Sequence, residues 1–469
     1  MSLWDKILDN IPEVAAPMQK RLSFNEKLKW TFIILVLFYV LGLIPLFGLG
    51  ANSLTQFKTL SLLLGAKFGS LISLGIGPIV TASIVLQLLN GSGLIKFDLT
   101  THEGKRKFEG TQKLLSIFFI IFEASIYVFM GGLAPGNPSL GIVKGTSIFT
   151  LFQFILVFQL FLGGIIIMFM DEIVSKWGFG SGISLFIAAG VSQSIFVRSL
   201  SWLSPTQTDY ATGMVIQMFQ ALSRGELQVF NLAFAAILST IVVFIVAVYT
   251  QAMKVEIPLS FGRVRGQGMR WPLNFIYTSN IPVILVAALF ANMQLWARLL
   301  NNWGIHILGT VSPSGATSGL ISWLRAPNIV KVILEQGTIF IGSRIYLQAI
   351  VYVLAMIVGC VIFSYFWVQT SGMDAKSQAK NILWSGLQIP GFRKDQRILE
   401  RLLDRYIGPL TIMGGIAIGL LAALADLTGA LGRGTGILLA VMIVYQLYEE
   451  ITREHMMDMY PALRKMIKQ

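Results

Sequence analysis

The chain has 469 residues, of which 55% are apolar and 13% charged, and 36 Lys and Arg against 23 Asp and Glu leave a formal net charge of +13. Soluble domains carry about a quarter charged residues, so an ordinary soluble enzyme is excluded. The single cysteine, Cys360, lies inside an apolar block, which excludes an intrachain disulfide and a cysteine-based zinc site.

Mean hydropathy is +0.71, and the apolar residues come in blocks long enough for about 20 residues per membrane span. In chain order, Met1 to Val14 places Leu3, Trp4, Ile7, Leu8 and Ile11 on one helical face. That pattern predicts a short surface helix within 1–29, ended near Pro12. The run from Trp30 to Leu49 is longer than a signal-peptide core and lacks a small-residue cleavage site, so it reads as a retained first span. Gln56 to Leu64 is too short to cross a bilayer at about 1.5 Å per residue, and reads as a re-entrant or outer half-helix. Further blocks lie at about 70–90, 113–132, 147–170, 181–200, 229–253, 275–297, 345–369, 407–427 and 436–451. With the first run, they make ten spans.

Lys and Arg counts test that division. The N-terminus and alternate loops hold 26 and the opposite loops 10. Positive charge marks the cytoplasmic side, so both termini are expected there, including a tail at 453–469.

Two sets of five spans carry matching signals. The fifth block opens Gly178-Phe179-Gly180-Ser181-Gly182-Ile183, and the tenth opens Gly432-Arg433-Gly434-Thr435-Gly436-Ile437. Pro78 and Pro282 stand early in the second and seventh blocks. Five is odd, so the second half enters the bilayer inverted, and inverted repeats place the working site near the midplane. The expected fold is therefore all-α: halves 30–200 and 229–452, joined by an external hinge at 201–228, around a central pore.

The residues at that centre are aliphatic: Ile76, Val80, Ile183, Ile187, Ile284 and Leu438–Leu439. A solute carrier would need polar groups facing the centre, and Glu123 is the one acid read as lying well inside a span. Hydrophobic constrictions can instead gate a pore by dewetting, and the Gln56–Leu64 segment is placed to close it. There is no Gly-rich loop ending in Gly-Lys-[Ser/Thr] and no His-Glu-x-x-His. Ser181 has no histidine or lysine inside a span to activate it as a protease nucleophile. A channel is the leading reading, an inverted-repeat solute transporter the alternative, and no enzyme activity, cofactor or metal is expected.

Two loops on the positive side stand out. Loop 254–274 carries Arg263, Arg265 and Arg270 around glycines, and loop 370–406 carries Arg393 and Lys394 among seven basic residues. The end of the second, Asp395 to Tyr406, reads as amphipathic, with Ile398, Leu402 and Arg401/Arg405 at helical spacing. Positive-inside topology explains much of this charge, and loops this long also tend to carry function.

The stretches LGIGPIVTASIVLQLL (74–89), DEIVSKWGFGSGISLFIAAGVSQ (171–193), SNIPVILVAALFANMQLW (279–296) and GALGRGTGILLAVMIVY (429–445) closely resemble the SecY family of protein-conducting channels, archaeal members above all. The resemblance spans essentially the whole chain. It implies a channel that moves unfolded secretory polypeptides across the cell membrane and releases membrane segments sideways into lipid. It implies a pore ring at Ile76, Val80, Ile183, Ile187, Ile284 and Leu439, and a plug at about 56–64, through Gln56, Phe57, Thr59, Leu60, Leu62, Leu63 and Leu64. It further implies a lateral gate between spans two and three and spans seven and eight, with a polar cluster at Thr81, Glu123 and Asn292. Ribosomes would dock on the basic loops through Arg263, Arg265, Arg393 and Lys394. The implied small membrane partners are SecE and Sec beta, and signal sequences are the implied ligands.

Overall fold

The structure is a computed structural model that describes residues 10–19, 22–52, 66–91, 94–95, 97, 101–136, 142, 145–203, 210–261, 268–302, 304, 306–307, 309–312, 315–316, 318–336, 343–384, 387–388, 395–431 and 434–459. The plug residues Gln56 to Leu64 lie outside the described residues, as do Arg263, Arg265, Arg393, Lys394 and residues 1–9 of the N-terminal surface helix.

The first half contains α1 (Phe24–Leu41), β1 (Leu49–Asn52), α2 (Gly77–Gly91), α3 (His102–Phe129), β2 (Leu133–Pro135), α4 (Ser147–Trp177) and α5 (Gly182–Leu200). Helix α6 (Met214–Arg224) follows, then α7 (Leu227–Ala252), the hairpin β3 (Lys254–Phe261) and β4 (Gly268–Asn274), and α8 (Ile281–Asn302). After the short hairpin β5 (Val311–Ser312) and β6 (Gly315–Ala316) come α9 (Leu320–Trp323), α10 (Ile329–Gln336) and α11 (Ser343–Thr370). The chain ends with α12 (Ala375–Trp384), β7 (Leu387–Gln388), α13 (Gln396–Leu427) and α14 (Gly434–Met459). Helices α1, α2, α3, α4, α5, α7, α8, α11, α13 and α14 answer to the ten expected spans in order, and eight of them are long and apolar enough to cross a membrane by length and composition alone. The exceptions are α1, charged at Glu26, Lys27 and Lys29, and α2, of 15 residues.

Several expectations shift in position. Helix α1 starts at Phe24 rather than Trp30 because Ser23 and Glu26 form a reciprocal capping box, and it ends at Gly42. Asn10 to Ala16 is not helical. Instead Lys176 and Trp177 donate to the carbonyls of Val14 and Ala15 at 2.6 and 2.9 Å, holding that segment along the end of α4. The hinge at 201–228 is not all loop, since α6 lies within it with Ala221 buried.

The basic loops are not separate protrusions. β3 pairs with β4 from Lys254↔Asn274 to Ser260↔Gly268, and β7 joins the other edge of β3 at Ser260↔Gln388 and Phe261↔Leu387. Beneath this three-stranded sheet, Ile257 and Leu273 pack with Ala379 and Ile382 of α12 and with Leu399, Leu403 and Ile407 of α13. The amphipathic stretch is thus the first turns of span nine, and its buried face is Leu399 and Leu403. Ile398 is 36% exposed, contrary to the expected Ile398–Leu402 face. The leucines turn inward because the sheet and α12 offer them an apolar floor.

Candidate functional site

The duplication is visible in backbone conformation. Gly75, three residues before Pro78, is left-handed at φ 56°, and Ser279, three residues before Pro282, is left-handed at φ 58°. Ser279 is the one non-glycine with positive φ among the described residues. Such a conformation persists in a non-glycine only where the surroundings over-determine it. Here the Ser279 hydroxyl donates to Asn280 Oδ1 at 3.0 Å and accepts from Gln446 Nε2 of α14. The same bend therefore launches α2 and α8, and it aligns Val80 with Ile284, each two residues beyond its proline.

Those two residues lie in the same buried cluster as others of the expected ring. Ile76, Val80, Ile187, Ile284 and Leu439 are between 0% and 7% exposed and share one hydrophobic cluster, against which Ile183 packs partly buried. The six come from both halves: the entry to α2, then α2, α5, α8 and α14. Leu438 lies in the same cluster. Nothing in this group offers a hydrogen bond, so it can surround a chain without selecting its sequence.

The polar cluster is also assembled. Thr81 Oγ1 lies 3.1 Å from Glu123 Oε1, and Asn292 Nδ2 donates to Thr81 Oγ1 at 2.9 Å, which ties α2 and α3 of one half to α8 of the other. Thr81 also reaches Gly77 O at 2.9 Å, and its single proton serves Gly77 or Glu123 but not both at once. Glu123 is 1% exposed, and Glu123 Oε2, Asn292 Oδ1 and Tyr127 OH have no hydrogen-bond partner among the described residues. A buried polar cluster left partly unsatisfied holds its helices less firmly than an apolar contact of equal area. Towards the ends of α3 and α8, Phe122 meets Trp296 at 5.6 Å between centroids. There an apolar crevice of about 350 Å³ opens, lined by Phe122, Ser125, Ile126, Phe129, Met130, Trp296 and Leu300.

At the hairpin end, ion pairs tie the elements together: Lys27–Glu454 at 2.5 Å, Lys254–Glu449 at 3.2 Å and Lys113–Glu172 at 2.7 Å. Because Ser260 pairs with Gln388, the stretches that carry Arg263, Arg265, Arg393 and Lys394 both begin beside the outer end of β3.

Sequence reasoning missed two aspartates. Asp426, in the last turn of α13, is 9% exposed and accepts from Tyr352 OH at 2.6 Å and Thr435 N at 2.7 Å. It is a second buried acid inside a span, where Glu123 alone was expected. Asp171, near the end of α4, accepts from Ile183 N at 2.9 Å. The available signal was an acid six or seven residues before each glycine motif, at Asp171 before Gly178 and Asp426 before Gly432.

Ten helices answering to the ten spans, in two inverted halves with an aliphatic cluster drawn from both, define a multi-pass membrane channel. The profile of the SecY family matches residues 70–448, and the chain belongs to that family. The protein translocase subunit SecY of Methanothermobacter thermautotrophicus is 45% identical over 469 residues, covering 99% of this chain and 98% of the relative. The corresponding subunit of Methanocaldococcus jannaschii is 44% identical over 462 residues, covering 98% of each. A solved structure of a protein-conducting channel superposes with a TM-score of 0.81 at 43% identity, covering 98% of this chain and 99% of that one. Sec61 in the canine ribosome–channel complex from the endoplasmic reticulum superposes with a TM-score of 0.78 at 43% identity, with the same coverage. The chain is the pore-forming subunit of a protein translocation channel.

Proposed function

We propose that unfolded polypeptides cross between the two halves through the waist formed by Ile76, Val80, Ile183, Ile187, Ile284 and Leu439, and that hydrophobic segments leave sideways between α2–α3 and α8–α11. The observation that carries this reading is that five of those aliphatics, from both halves, lie in one buried cluster with Ile183 packed against it. The segment from Gln56 to Leu64 plugs the waist. Ahead of that segment β1 pairs with β2, and Pro45 is bridged to Ser70, which ties together the chain on the two sides of the segment. Deleting 56–64 is expected to leave a folded protein, since the segment spans nothing, and to give channel openings without substrate. Single-channel recording of the purified protein in planar bilayers tests this, and a silent, well-folded deletion would remove the plug role.

The seam at Thr81, Glu123 and Asn292 sets how apolar a segment must be to enter lipid. Glu123→Leu with Asn292→Leu replaces hydrogen bonds worth about 1 kcal/mol each by apolar contact. The hydrophobicity threshold in a graded insertion assay is expected to shift by about 1–2 kcal/mol. An identical threshold would leave this cluster a packing feature only.

The hairpin end faces the cytoplasm, with both termini on that side of the cell membrane, as the charge asymmetry requires. The two halves meet at the external hinge 201–228 and are clasped by small membrane subunits of the SecE and Sec beta kinds. Arg263, Arg265, Arg393 and Lys394 dock the ribosome, because guanidinium groups pair bidentately with phosphate. Arg393→Glu is expected to weaken ribosome binding about tenfold or more at low salt, and Arg393→Lys to weaken it less. Ribosome affinity across a salt series checks this, and parent-like binding by the Glu variant would leave those arginines a topological role alone.

A further inference from the structure

We propose that Asp171 and Asp426 are equivalent positioning residues, one in each half, whose carboxylates cap the two antiparallel helices α5 and α14 and so set the waist residues those helices carry. The inference rests on the waist reading above and adds what holds the waist in place.

The first turn of a helix leaves backbone N–H groups without intrahelical partners. At α5 the N-cap residue, Ser181, makes no side-chain capping bond. The cap comes instead from the preceding span: Asp171 Oδ1 accepts from Ile183 N at 2.9 Å. At α14, Asp426 Oδ1 accepts from Thr435 N at 2.7 Å, while Oδ2 accepts from the Thr435 hydroxyl and, at 2.6 Å, from Tyr352 of α11.

The two arrangements match beyond the carboxylates. Gly164 and Gly419 each stand seven residues before their aspartate. A Cβ on Gly164 would lie 2.6 Å from Ile120 of α3, and one on Gly419 would lie 2.9 Å from Ile357 of α11, the third and eighth spans. At the capped ends, a Cβ on Gly182 would fall 2.6 Å from Asp171 Cα, and one on Gly434 would fall 2.0 Å from the Ala425 carbonyl. The glycines thus let each helix start press against the helix that caps it. Helices α5 and α14 then pack head to tail: Gly180 faces Leu447, and Gly436 faces Val191. Ile183 and Ile187 lie within the first six residues of α5, and Leu439 is the sixth of α14. A shift at either capped end is carried to the waist with almost no intervening helix to absorb it.

The test measures amide exchange at 181–183 and 435–437, and resting ion leak, in the channel complex reconstituted in vesicles. Asp426→Ala and Asp171→Ala are expected to speed exchange at their own helix start by roughly five- to tenfold and to raise leak. Asn at either site keeps one acceptor oxygen and is expected to restore most of the protection. If the Ala forms do not fold, Asp426→Asn and Tyr352→Phe carry the same measurements, with an intermediate rise in exchange at 435–437 expected. Unchanged exchange in these variants overturns the capping role. Faster exchange with parent-like leak, in a preparation where Ile183→Ser/Ile284→Ser does leak, overturns the link to the waist and leaves the waist reading intact. Where the serine pair itself does not leak, the waist reading fails, the link fails with it, and exchange alone decides the capping role.

Discussion

Replacing Ile183 and Ile284 together by serine is expected to raise the resting ion conductance of the reconstituted channel by about tenfold or more, since each 1.4 kcal/mol taken off a barrier is about a factor of ten. The two residues of the proposed waist come from opposite halves: Ile284, 7% exposed, lies in the central cluster, and Ile183 packs against it. A waist of branched aliphatics resists wetting because water inside it finds no hydrogen-bond partners. Two hydroxyls supply such partners, and the two changes remove six side-chain carbons of apolar packing, so the dry state loses on both counts. Leu439 and Val80 remain, so the halves should still fold together and translocate substrate. Bilayer recordings beside a translocation assay separate the effects. Parent-like conductance from a folded, active double variant would move the seal elsewhere in the molecule.

Gly163→Ala should be the most damaging single-methyl change in the first half. A Cβ there would lie 1.9 Å from the Leu71 carbonyl oxygen and 2.8 Å from its carbon. The obstacle is backbone, and Leu71 N is itself bonded to Ile44 O at 2.9 Å, so this loop cannot yield by rotating a side chain. Overpacking usually costs about 1–3 kcal/mol, and a clash with fixed backbone belongs at the upper end or beyond. Residues 70–76 lead directly into α2, so relief of the clash displaces Ile76 and Val80 from the waist. Reduced yield of folded protein in detergent, with a lowered thermal midpoint, is the expected result. Parent-like stability would mean that α4 and the α2 entry are less tightly apposed than described.

Much of the architecture is legible in one dimension because a bilayer imposes a one-dimensional code. Each span must satisfy its own backbone hydrogen bonds, so it appears as a single apolar block, and retained positive charge orders the loops. The ten helices accordingly fall where the blocks lie, and the inverted repeat is announced by Pro78 with Pro282 and by the two glycine motifs. The candidate aliphatic centre stands out only through the coincidence of branched residues beside the glycine motifs, since any one of them alone reads as ordinary helix packing.

What the sequence could not disclose are the contacts made sideways between spans and the structure built outside the lipid. Thr81, Glu123 and Asn292 are far apart along the chain and are grouped only through the family resemblance; the packing of α2, α3 and α8 brings their polar atoms within 3.1 Å. The pairing of β3 with β7, the helix inside the hinge, and the burial of Leu399 rather than Ile398 lie in polar segments where water can satisfy the backbone of many conformations. Asp171 and Asp426 read as ordinary acids at span ends until the helix starts they cap come within hydrogen-bonding distance. Hydropathy and charge determine how often the chain crosses and in which sense. Which side chains then meet is decided by close packing among helices whose apolar surfaces are otherwise interchangeable with lipid.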